Sequence, residues 1–206
     1  MTRISRISLA YLVFAVSLVT GCASTRLTSV WKDPEYRAHP ARYMVISVDT
    51  NSLTKRYFES EFVDQIKEKG ADAVASYTVL SNTKQNDPAA IAAKMAELGA
   101  DALLVTRLMS KTATRIGAPK TSYNPALYSS KWQNYYGYDK QTLYPPGVIA
   151  EEGVAIFETK MYEAENVKMV WSASSETGLG GPYQYRIKLY VEAMVKAMVE
   201  QGLLGK

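Results

Sequence analysis

The 206-residue chain holds one cysteine and one histidine, which narrows the chemistry open to it. Cys22 closes the stretch Val19-Thr20-Gly21-Cys22, directly after an apolar run from Ile7 to Val19 that Arg3 and Arg6 precede. A positive n-region, a short apolar h-region and small or polar residues before a thiol form the layout of a processed targeting segment. A transmembrane helix needs about 20 apolar residues, more than this run supplies. The thiol is therefore expected to be modified rather than catalytic. His39 stands alone before Pro40, which excludes a multi-histidine metal site and reads as a solvated loop residue. No Gly-x-Ser-x-Gly is present, and Ser172, Ser174 and Ser175 fall on or beside a predicted strand with no histidine base apparent. Glu151 and Glu152 are adjacent, so an extended chain points them to opposite faces and they make poor acid–base partners. A carboxylate pair assembled across the fold stays open as an alternative. Gly178-Leu179-Gly180-Gly181 could meet a phosphate at a helix N-terminus, but it lacks the later glycine of a dinucleotide fingerprint and no P-loop lysine follows. It reads as a turn. No catalytic residue, metal site or cofactor is expected.

The residues best suited to recognition lie in an insertion from Gly117 to Gly147. It carries Tyr123, Tyr128, Trp132, Tyr135, Tyr136, Tyr138 and Tyr144 between Pro119, Pro125, Pro145 and Pro146. Lys131 and Lys140 lie within it, and from Arg107 to Ala150 the acidic count is limited to Asp139. Long loops inside compact domains are uncommon and are often functional or disordered. Tyr and Trp offer rigid amphipathic contact area at low entropy cost, so these residues form the candidate binding surface. A protein partner, glycan strands or lipid headgroups fit that composition. So does an ordered flap packed on the domain, or a merely mobile segment. Single-stranded nucleic acid uses the same residue types, but the formal charge of +4 falls by two without Arg3 and Arg6, too little to argue for it.

The segment around Cys22 resembles the lipobox of bacterial lipoproteins. The resemblance implies removal of residues 1–21 as a signal peptide, a diacylglycerol on the Cys22 sulfur, and acylation of the new N-terminus, with palmitate among the expected acyl groups. More than one chain gives stable attachment. Ala23, where enterobacterial inner-membrane lipoproteins carry Asp, leans towards the outer membrane, with the domain facing the periplasm. With its one cysteine acylated the chain has no intrachain disulfide, and a domain of this size does not need one.

The elements that must hold these residues alternate regularly. Residues 22–40 read as a lipidated tether, with Trp31 and Tyr36 expected to pin its end onto the domain or to await a partner. Tyr43 to Val48 suits a buried strand. Thr54 is expected to cap a helix over 55–69, with Phe58, Phe62 and Ile66 as its buried stripe and Gly70 ending it. A strand over 71–80 follows, then a helix capped by Asp87 with Pro88 at its first position, then a strand over 100–109. Lys69-Gly70-Ala71-Asp72-Ala73-Val74 and Leu98-Gly99-Ala100-Asp101-Ala102-Leu103 occupy equivalent helix-to-strand turns. Asp72 and Asp101 are thus expected to bond turn backbone rather than act as paired acids. Short strand–helix–strand connections imply right-handed parallel crossovers. After the insertion, 153–162 alternates, with Glu158 and Lys160 opposite Phe157 and Met161. It forms an antiparallel hairpin with 168–177 through Glu165-Asn166. A helix after Pro182 buries Ile187, Val191, Met194, Val195 and Met198. The expected fold is a single α/β domain over 41–206, a mixed sheet of about five strands in the chain order β-α-β-α-β-(aromatic insertion)-β-β-α.

The helix–Glu-Leu-Gly-Ala-Asp-Ala–strand passage at Glu97 to Val105, and the hairpin with Trp171 after a polar turn, are similar to features of small bacterial envelope domains. Those include outer-membrane lipoproteins that activate peptidoglycan synthases, the curli-secretion lipoprotein, and the N-terminal domain of the Tol-system propeller protein. With Thr28-Ser29-Val30-Trp31-Lys32-Asp33-Pro34 included, the whole chain after Cys22 resembles an outer-membrane lipoprotein family without assigned function that is built on this plan. The resemblance implies a non-enzymatic binding or assembly module in the cell envelope. Its expected partners are the membrane, through lipid on Cys22, and another envelope protein, with no nucleic acid. A periplasmic glycan or solute binder is the alternative, and an envelope hydrolase a third reading.

Overall fold

The computed structural model describes residues 25–49, 51–112, 153–180 and 182–205. Cys22, Glu151, Glu152 and the aromatic insertion, with Tyr123, Tyr128, Lys131, Trp132, Tyr135, Tyr136, Tyr138, Lys140 and Tyr144, lie outside the described residues.

The fold is the expected α/β domain with a mixed sheet. The elements run β1 (Thr25–Lys32), β2 (Arg42–Val48), α1 (Ser52–Glu68), β3 (Asp72–Ala75), α2 (Ser76–Val79), α3 (Pro88–Leu98), β4 (Ala102–Thr112), β5 (Val154–Glu163), β6 (Met169–Gly178) and α4 (Tyr183–Glu200). The sheet has six strands in the order β1-β6-β5-β4-β2-β3. β2 pairs in parallel with β3 and β4, while β4–β5, β5–β6 and β6–β1 are antiparallel. The parallel crossovers and the hairpin therefore stand as expected.

Three boundaries differ from the sequence reading. Residues 25–32, expected as tether, form the edge strand β1, with Thr25 opposite Thr177 and Lys32 opposite Trp171. A bulge between Leu27 and Ser29 breaks its two-residue period, and an edge strand keeps one side polar, so the segment reads as spacer. Asn51, not Thr54, caps α1, its side-chain oxygen accepting the Leu53 and Thr54 N–H groups at 2.9 and 3.2 Å. The strand expected over 71–80 stops at Ala75, because the buried Glu59 carboxylate accepts the Ser76 hydroxyl and the Tyr77 N–H and draws the chain into the single turn of α2.

The sheet has a packed layer on each face. On one, α1 and α4 bury Phe58, Phe62 and Ile66 with Ile187, Tyr190, Val191, Met194 and Met198 against Val45, Leu104, Met161 and Trp171. On the other, α3 packs Ile91 and Met95 over Met44, Ile46, Leu103, Val105 and Tyr162. Tyr36 is buried in the first cluster and Trp31 packs on the second, so both pin the end of β1 to the domain. Asp33 is buried, accepting the Glu35 N–H at 2.9 Å and pairing with Lys168 at 2.5 Å. The two turn aspartates have structural jobs, but with the start of β2 rather than with the backbone of their own turns as expected. Asp101 Oδ2 accepts the Ala41 and Arg42 N–H groups at 2.8 Å each, and Asp72 takes the Arg42 Nε at 2.8 Å. Gly99 ends α3 in the left-handed region at φ 59°, which a Cβ would strain.

Candidate functional site

β2 ends at Val48, opposite Arg107, while β4 runs on through Leu108 to Thr112. That mismatch leaves a notch at the carboxyl ends of the parallel strands, where open α/β sheets place ligands. A cavity of about 420 Å³ occupies it. Both α1 and α4 start beside it, because each follows a strand that ends at this pole of the sheet.

Its floor is aromatic. Phe58 from α1, Phe157 from β5 and Tyr190 from α4 pack in tilted and edge-on pairs with ring centroids 4.8 to 5.6 Å apart, flanked by Leu108 and Ile187. The Tyr190 hydroxyl shares hydrogen bonds with Thr106 and Thr159, and its burial pushes the phenol well above its usual range. It stays a neutral hydrogen-bonding group at physiological pH.

The rim is polar and carries both signs of charge. Asp49 Oδ1 accepts the Asn51 N–H at 2.7 Å, and Asn51 in turn caps α1. Arg186 donates to the Leu179 carbonyl at 2.8 Å and lies over the Tyr183 ring at 5.3 Å, while its Nε is buried without a hydrogen-bond partner. Thr54, Lys111 and Thr177 complete the polar lining. Leu179 directly follows β6, which includes Gly178, and its N–H is bonded to the Gly153 carbonyl at 2.8 Å, while Gly181 lies outside the described residues.

A second polar group lies on the opposite face of the sheet. Glu158 and Lys160 are buried, with Lys160 Nζ 3.3 Å from Glu158 Oε2 and Arg107 directly across the ladder from Glu158. Alternation alone makes these residues look solvent-facing, so the sequence reading missed them. Burial lowers the Lys160 ammonium below its usual range, and the Glu158 carboxylate opposes that shift.

The remaining sequence candidates do not converge. His39 is exposed, whereas Ser172, Ser174 and Ser175 are buried within β6. Among the described residues no group of three His, Cys, Asp or Glu side chains is arranged to hold a metal ion, and no helix is long and apolar enough to cross a membrane. The sequence reading also missed the cavity. Its one local trace is the closeness of the Asn51 cap to the end of a buried strand.

No family model matches the sequence, and no curated protein matches it closely. Solved structures align with the chain at low identity. The PelC dodecamer from Paraburkholderia phytofirmans is 14% identical, with 90% of this chain and 99% of that chain covered at a TM-score of 0.47. Lipoprotein GNA1162 from Neisseria meningitidis is 17% identical, with 78% and 99% covered at a TM-score of 0.41. At these values the likeness carries no residue role or function to this chain.

Proposed function

We propose that the protein is a lipid-anchored, non-catalytic binding or assembly module of the bacterial cell envelope, held by Cys22 in the outer membrane with its domain in the periplasm. The lipobox layout supports the anchor. The cavity supports the binding role: about 420 Å³, an aromatic floor and a rim of few polar groups are the properties of a recognition site. Among the described residues its one lining carboxylate, Asp49, is engaged with the Asn51 N–H, and no lining hydroxyl has a histidine beside it. This favours recognition over hydrolysis.

The cavity also favours a second reading, in which the module holds a glycan or small solute against Phe58, Phe157 and Tyr190. Such rings suit the apolar face of a sugar, and Arg186, Lys111 and Asn51 could bond its polar groups. One experiment separates the readings. A photo-crosslinking residue is placed at Thr54 and, separately, at Trp132 in cells that express the full-length protein, and adducts are identified by mass spectrometry. A single dominant envelope protein supports the assembly module. A glycan or small-molecule adduct from position 54 supports the second reading. Reproducible absence of adducts from both positions, with Cys22 lipidated, refutes a binding role for these surfaces.

A further inference from the structure

Four features of the chain meet at one pole of the sheet. Thr25, the first residue of β1, lies opposite Thr177, and Gly178 lies opposite Val154, which lies opposite Thr112. The carboxyl ends of β2 and β4, the cavity lined by α1, α4 and β4–β6, and the first turns of α1 and α4 are at the same pole. Cys22 precedes Thr25 by three residues, so the chain from the thiol to the sheet spans at most about 11 Å. The ten residues of β5 span about 33 Å between the two poles. A lipid on Cys22 therefore holds this pole close to the bilayer and keeps the Gly99–Asp101 pole beyond the linker's reach.

Most of the exposed apolar side chains are distributed in the same sense. Of the five large hydrophobic residues exposed among the described residues, Leu53 (59% exposed), Tyr57 and Tyr185 (42%) lie in the first two turns of α1 and α4, while Val30 is on β1 and Val199 near the end of α4. Tyr57 and Gln184 are linked by a 3.4 Å hydrogen bond, which joins the two helix starts into one surface. Neither helix has an acidic residue in its first turn; Asp49 beside the α1 cap offsets that end, and α4 presents its positive end here. Lys111 is exposed at the same pole, and Asp49 is its acidic neighbour at the cavity rim. Tyrosines with an adjacent leucine and positive charge are the residues that settle at a membrane–water interface.

We infer that the cavity-bearing pole of the domain faces the bilayer in which Cys22 is anchored, with Leu53, Tyr57 and Tyr185 seated in the headgroup layer. This rests on the lipidated reading of Cys22. It makes the cavity a membrane-proximal site, reached from the bilayer surface rather than from the bulk periplasm.

The test uses the natively processed protein, reconstituted in nanodiscs of phosphatidylethanolamine and phosphatidylglycerol that contain a gadolinium-chelate headgroup lipid. Paramagnetic relaxation of backbone amides reports distance from the surface, and intact-mass analysis of the same sample reports the lipid on Cys22. Relaxation several-fold stronger at 53–57, 111 and 183–186 than at 69–72, 99–101 and 199–202 is the expected result. A Leu53→Glu/Tyr185→Glu variant should reduce that contrast while its amide spectrum stays folded. With lipid on Cys22, uniform relaxation or relaxation strongest at 99–101 overturns the orientation and leaves the lipoprotein reading standing. Absence of lipid on Cys22 overturns both.

Discussion

Replacing Glu59 with glutamine should destabilise the domain by about 4 kcal/mol, although the sequence marks the position as an ordinary polar residue of an amphipathic helix. The Glu59 side chain is 0% exposed. Its carboxylate accepts the Ser47 N–H at 2.9 Å, the Ser76 hydroxyl at 2.8 and 2.9 Å, and the Tyr77 N–H at 3.0 Å, with Lys55 Nζ 3.7 Å away. One side chain thus ties α1 to β2 and to the start of α2, and it fixes the helix that supplies Thr54 and Phe58 to the cavity. Glutamine keeps one acceptor and turns the other into a donor that faces the Tyr77 N–H. A stranded buried N–H costs about 1–3 kcal/mol, and a buried ammonium without its counter-charge about 3–5 kcal/mol. These do not simply add. Burial already lowers the Lys55 ammonium, so without Glu59 it can shed its proton and limit the second cost. About 4 kcal/mol is a large part of the ~5–15 kcal/mol that holds such a domain together. Urea melts of Glu59→Gln, Lys55→Met and the double variant at neutral pH measure it. The midpoint should fall with an unchanged slope, and the singles should be non-additive by about 1–3 kcal/mol. A Glu59→Gln midpoint within about 1 kcal/mol of the parent, or strictly additive singles, would refute the account.

Four further outcomes follow from the turns and strand ends. The Lys168 hydrogen bond holds the Asp33 carboxyl below its usual range, so its stabilisation is present above pH 4 and lost as pH falls through the lowered folded value. A series of thermal melts from pH 6 to pH 2.5 should show Lys168→Met losing less stability than the parent in the acidic part of the range. Asp101→Ala removes the acceptor of two N–H groups at the start of β2, and a loss of about 1–2 kcal/mol in urea melts is expected for these exposed bonds. Gly99→Ala should cost about 1–2 kcal/mol from its left-handed backbone alone, since nothing lies within 4 Å of the added methyl. Gly180→Ala, equally open and without a positive φ, should melt with the parent.

Local chemistry made much of the architecture legible. The apolar run into Cys22 reads as a targeting segment by order and composition alone. The Phe58–Phe62–Ile66 stripe, the Asp87–Pro88 start and the Gly70 and Gly99 stops are set within a few residues of one another, and the helices form close to where those signals place them. The repeated Gly-Ala-Asp turn likewise marked Asp72 and Asp101 as structural, but their partners lie at β2 rather than in their own turns: Asp101 accepts the Ala41 and Arg42 N–H groups, and Asp72 the Arg42 guanidinium. What the sequence left open depends on partners far along the chain. Thr25–Lys32 becomes a strand because β6 lies beside it about 150 residues later, and its bulge hides the alternation that would have announced it. Glu59 ends β3 early only because tertiary packing brings its carboxylate to Ser76. Glu158 and Lys160 look like a solvated face until burial makes them a pair. The cavity is closed by side chains from α1, α4, β4, β5 and β6, and its shared pole with the start of β1 is decided by strand pairing, a long-range property that no local residue pattern encodes.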